Sequence, residues 1–241
     1  MGVLVTGFGP YDIGFDKADV NASWEGVQRI DKEGIQAKYG IQMIVQHLPV
    51  DYDEVQSKMT ELWDEYKDFD LVMHVGLLKN IQGLRLEKQA CKESYFFGDC
   101  KGCCPVDFEH PLGEKEAVFN TSLDVDGILD EYNSKPPEQL LAEVSEDAGK
   151  FLCEYVYFTS LYHSESKRVM FVHVPHEGYS YEQIARGLER FLCEYVYFTS
   201  LYHSESKRVM FVHVPHEGYS YEQIARGLER LLEIALKLCM N

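Results

Sequence analysis

The chain has 241 residues, with 23 basic against 40 acidic side chains, a net charge of −17, and 45% hydrophobic residues. That surplus of negative charge repels phosphate backbones and anionic lipid, which argues against nucleic acid and membrane surfaces as partners. The length suits one sizeable core, so a single domain over 1–241 is expected, built on an α/β plan.

The chain runs from Met1 straight into GVLVTGF, an apolar stretch that reads as a buried strand and not as a leader peptide. No apolar run approaches the roughly 20 residues that span a bilayer, and a cytoplasmic protein is expected. The seven cysteines, an odd number, then read as reduced thiols. IQMIVQHL follows as a second strand. In DYDEVQSKMTELWDEYKDF the residues Val55, Met59, Leu62 and Tyr66 recur at helical spacing, and DLVMHVG is a third strand. Strands alternating with helices imply crossover connections and a largely parallel central sheet between two helical layers, with the active site at the carboxyl ends of strands.

The acid Glu87 follows an apolar alternation in GLRLEKQA and by itself reads as a solvated strand residue. Residues 91–122 are rich in glycine, proline and charge and read as a long ordered excursion. Within it CKGCC lacks the second ligand pair that makes a zinc site convincing, so surface thiols are the plainer reading and no metal is expected.

Residues 151–190 and 191–230 are identical at every position. Two copies without adapted end units do not make a solenoid, and the repeat reads as a recent tandem duplication or an artefact that adds 40 residues to one α/β domain. Context separates the copies. SEDAGKFLC places Cys153 near a helix amino terminus, where Ser145 or Asp147 is expected to cap the helix and where free amides and the helix dipole favour a thiolate. YEQIARGLERFLC instead buries Cys193 in the middle of a helix. The strand RVMFVHVP carries His173 close to its carboxyl end, either as a site residue or as a satisfied core histidine.

Taken in order, VTGFGPY with NASW, LPVDY, LEK, SEDAGKFLC and FVHVP resemble the pyroglutamyl peptidase I family of cysteine peptidases, over residues 3 to about 180. The resemblance implies a three-layer α/β/α fold, no cofactor, and removal of an amino-terminal pyroglutamyl residue from small peptides. It implies Cys153 as nucleophile, His173 as general base and Glu87 as the acid that orients it, with substrate contacts from Phe8, Tyr11 and Asn21. His173 is expected in preference to His213 of the second copy, because the 20-residue step from Cys153 closes the smaller loop.

Two departures stand out. Tyr11 occupies a position where the family pattern has phenylalanine, so its hydroxyl must find a partner or narrow the pocket. Gly76-Leu77-Leu78-Lys79 replaces a small flexible turn, which makes a catalytically silent binding protein on the same fold the rival reading. A thiol-dependent regulatory or metal-handling protein built on CKGCC is a third.

Overall fold

A computed structural model describes residues 2–66, 69–113 and 118–203, with side chains as far as residue 195. They group into two compact units, Met1–Glu194 and Tyr195–Asn241. Among the described residues no helix is long and apolar enough to cross a membrane.

The first unit is built on a six-stranded sheet. Its strands are β1 (Gly2–Phe8), β4 (Gln42–Leu48), β5 (Leu71–Leu78), β6 (Leu84–Glu87), β9 (Ala142–Ser145) and β10 (Val169–Pro175), in the order β4-β1-β5-β10-β6-β9. Every neighbouring pair is parallel except β10 with β6. The central strands β1, β5 and β10 are buried along nearly their whole length, as strands covered on both faces must be, which is why they read as continuous apolar runs. Edge strand β4 is only half buried.

Two short hairpins interrupt the alternation: β2 (Tyr11–Asp12) with β3 (Lys17–Ala18), and β7 (Gln89–Cys91) with β8 (Val118–Asn120). The expected excursion over 91–122 is therefore opened and closed by strand pairing.

Helices α1 (Ala22–Val27), α2 (Lys32–Tyr39), α3 (Tyr52–Tyr66), α4 (Val125–Ser134), α5 (Leu152–His163) and α6 (Tyr181–His203) complete the fold. In α3, Val55, Met59, Leu62 and Trp63 form one apolar stripe, and the Asp51 carboxylate caps the first turn by accepting from Glu54 N at 2.9 Å. That stripe joins α5, Leu4, Phe8, Val72 and Phe171 in one core cluster. The other layer is set by α1 against α6, where Gly26 lets Ile184 approach so closely that an added Cβ would lie 2.5 Å from its Cγ2.

The thirteen residues 151–163 recur at 191–203, helical from Leu152 in the first copy and throughout in the second, yet their roles differ. In the first copy Phe151 is extended (φ −143°, ψ −160°) and α5 starts after it. In the second, Phe191 lies inside α6 and stacks on Tyr132 at 4.3 Å between ring centroids. A helix start is decided by what precedes it: a chain turning at Gly149, with φ of +95°, in one case and a helix already under way in the other.

Candidate active site

Glu87 closes β6 and His173 lies two residues before the end of β10. The antiparallel register sets Glu87 opposite Phe171, so Glu87 and His173 are diagonal neighbours on one face of the sheet. Both are buried, and His173 Nδ1 meets Glu87 Oε1 at 2.8 Å. A carboxylate accepts, so Nδ1 carries the proton and Nε2 is the free basic nitrogen.

Cys153 is the second residue of α5. On the parallel side of β10, His173 is in register with Gly76 of β5. A Cβ built on Gly76 would fall 2.7 Å from Cys153 Sγ and 2.8 Å from the Phe171 ring. The thiol thus rests against the sheet at the level of His173, and a bare glycine makes the space. Gly76→Ala is expected to displace the sulfur or the Phe171 ring, at a cost of about 1–3 kcal/mol in stability, with most of the thiol reactivity lost. Thermal melting together with iodoacetamide labelling checks it.

The first turn of α5 has no side-chain cap, and Tyr155 N donates to Phe151 O. Ser145 and Asp147, expected as caps, serve local turns instead: Ser145 Oγ accepts from Asp147 N at 3.1 Å, and Asp147 Oδ1 from Gly149 N at 3.1 Å. Amides that a cap would have occupied remain available to a ligand.

Burial pushes the Cys153 thiol up to about 12, the charges of Glu87 and Glu154 add to this, and its own backbone amide opposes it. Glu154 is itself buried and held by Lys150 Nζ at 3.0 Å and by Cys91 N at 3.0 Å. Burial and the neighbouring carboxylates thus work against the thiolate that a helix amino terminus favours. With His173 replaced by alanine, labelling of Cys153 should rise about tenfold per pH unit up to at least pH 10, because the thiolate fraction grows with pH below the folded value.

Cys153 and His173 line a pocket of about 280 Å³ together with Phe8, Tyr11 and Asn21. Phe8 is buried at the end of β1. The Tyr11 hydroxyl has its partner, donating to Asp16 Oδ2 at 2.9 Å across the β2–β3 hairpin, and Lys79 pairs with Asp16 from the other side. Burial alone would raise the Asp16 carboxyl, but these two partners hold it below its ordinary value. Asn21 caps α1 by accepting from Ser23 N at 3.1 Å, and its amide nitrogen donates to Gly9 O at 2.8 Å. Its side chain therefore holds the loop around the pocket as well as lining it.

Leu77 and Leu78 form part of the wall and leave the cavity open. The sequence reading missed Phe15, Asp16, Phe97 and Phe151, which also line it. Phe15 and Phe97 were detectable as large aromatics set in loops of glycine and charge.

Cys193 lies elsewhere, accepting from the Tyr39 hydroxyl at 3.0 Å inside α6, with burial raising its thiol. His213 lies outside the described residues. Cys100, Cys103 and Cys104 are free thiols, and among the described residues no group of three or more His, Cys, Asp or Glu side chains is placed to hold a metal ion.

The family model for pyroglutamyl peptidase matches residues 1–186. Human pyroglutamyl-peptidase 1 is 34% identical over 194 residues, covering 77% of this chain and 85% of that protein. Pyrrolidone-carboxylate peptidase 1 of Ralstonia nicotianae is 29% identical over 179 residues, covering 72% and 78%. Among solved structures, a mutant pyrrolidone carboxyl peptidase from Pyrococcus furiosus superimposes with a TM-score of 0.70 at 24% identity, over 83% of this chain and all of that one, and shares the fold. The family model's match ends at residue 186, before the second copy begins.

Proposed function

The chain belongs to the pyroglutamyl peptidase family, and from that premise we propose that it removes the amino-terminal pyroglutamyl residue of small peptides with Cys153, His173 and Glu87 as its triad. The observation that carries this reading is the Glu87–His173 hydrogen bond in a pocket whose lining also includes Cys153, near the amino terminus of α5.

In the proposed reaction His173 Nε2 takes the proton of Cys153 Sγ as sulfur attacks the carbonyl carbon of the pyroglutamyl amide. Negative charge collects on the carbonyl oxygen, toward which the amides of the first turn of α5 offer donors and the positive helix end. The imidazolium, steadied by Glu87, passes its proton to the leaving amine. A water molecule then gives a proton to His173 and attacks the thioester, freeing pyroglutamate and restoring the thiol.

The purified chain should release aminocoumarin from pyroglutamyl-aminocoumarin and spare the glutamyl analogue, whose charged open chain lacks the ring. Absence of release from both would overturn the proposal. Deleting residues 191–230 joins Arg190 to Leu231, and activity is expected to persist within about threefold, because among the described residues none that lines the pocket lies in the deleted stretch. Asp16→Asn or Lys79→Met frees the hairpin that carries Tyr11, and KM should rise about 3–10-fold with kcat nearly unchanged.

The rival reading, a silent binding protein on the same fold, rests on the altered turn at 77–79 or on the duplication. Leu77 and Leu78 stand at the wall of the pocket, and Lys79 is engaged with Asp16.

A further inference from the structure

The pocket does not end at its buried aromatic floor. Its outer lip is Phe15, 73% exposed, and Phe97, 46% exposed, with ring centroids 5.9 Å apart and planes at 46°. Two large aromatic rings left in water beside a reactive centre are costly to leave uncovered, and both touch the cavity that holds Cys153 and His173.

The lip is held in place. Asp99 is buried and accepts from the amides of Tyr52, Lys101 and Cys103 at 2.9–3.0 Å, which ties the loop to the start of α3. The Tyr52 hydroxyl donates to Phe97 O at 3.2 Å. On the other side Asp16, one residue after Phe15, is fixed by Tyr11 and Lys79. One position from Phe97, the exposed Phe96 meets Phe108 at 5.3 Å, and Phe108 is held at φ of +58°, a strained conformation for a bulky residue that marks a position fixed by its surroundings.

We propose that the Phe15–Phe97 pair is a specificity site that selects an aromatic or large apolar side chain at the substrate position directly after pyroglutamate. The inference rests on the peptidase reading above. The occupant follows from continuity: a substrate seated at Cys153 has its next residue leaving the pocket, and these two rings are the exposed aromatic wall of that pocket. Ring contact and removal of water from the lip favour an aromatic side chain over glycine, by about tenfold in kcat/KM.

The test compares pyroglutamyl-phenylalanine amide with pyroglutamyl-glycine amide on the full chain, on Phe15→Ala/Phe97→Ala and on Phe15→Ser alone. The expected result is a preference of about tenfold for the phenylalanine substrate, falling toward unity in the double variant and partly in the single one. Equal rates on the unaltered chain, or a preference that survives the double substitution in a chain with an unshifted melting transition, would overturn it. If neither substrate is cleaved, the peptidase reading fails instead. Calorimetric titration of the same two peptides then decides the lip by itself: about tenfold tighter binding of the phenylalanine peptide supports it, and equal binding or binding of neither overturns it.

Discussion

Cys153→Ala is expected to bring hydrolysis of pyroglutamyl-aminocoumarin down by at least about 10⁴-fold, while Cys193→Ser leaves kcat/KM within about twofold. The two residues share the sequence that follows them and differ in what precedes Phe151 and Phe191, so a difference between them reports on context. Cys153 opens α5 against Gly76 and faces the pocket, whereas Cys193 is interior to α6 and bonded to Tyr39. Iodoacetamide gives an independent readout: Cys153 should be modified faster, and the preference should shrink when His173 is replaced. Equal losses from the two substitutions, or equal labelling, would show that the nucleophile has been misassigned.

The second large effect concerns Glu87. Glu87→Gln keeps the shape of the side chain but offers His173 an amide whose nitrogen donates, which favours the tautomer with its proton on Nε2. That tautomer cannot take the thiol proton, and kcat should fall by about 10²–10⁴ with KM little changed. Stability should not fall in parallel. Glu87 Oε2 is buried without a hydrogen-bond partner among the described groups, so the carboxylate carries a desolvation cost that an uncharged amide relieves. A melting temperature equal to or above that of the parent, beside a large loss of kcat, is the expected pair of results. A drop in both together would make Glu87 a structural residue and remove it from the triad.

Most of the sheet was legible because its inner strands are covered on both sides. A strand such as Val169–Pro175 can only be a run of apolar residues, and its one polar exception, His173, was conspicuous for that reason. Glu87 was not legible without the family resemblance. A single acid at the end of a short alternation looks solvated until the antiparallel pairing with β10 places it beside an imidazole. The helix caps were misread because Ser145 and Asp147 satisfy capping preferences locally, yet the chain turns once more, at Gly149, before α5 begins. The Tyr11 hydroxyl and Lys79 posed separate questions in sequence. One carboxylate, Asp16, answers both, and nothing in the spacing of residues 11, 16 and 79 announces that they meet.

The sequence by itself determined the α/β plan, the ordered motifs of the family and the identities of the cysteine, histidine and acid to be weighed, since each depends on residue type and short-range periodicity. It also exposed the duplication, and with it the ambiguity over which copy matters. The differing upstream sequences already foretold a helix start in one copy and a mid-helix position in the other, and the structure has α5 begin after Phe151 while α6 runs through Phe191. The reactivity of a thiol is a property of its surroundings, namely the burial that raises it, the amides and base that can release its proton, and the glycine that leaves it room. Two of those surroundings, Gly76 and Glu87, lie outside the repeat and are supplied by tertiary structure, so copying residues 151–190 does not copy them.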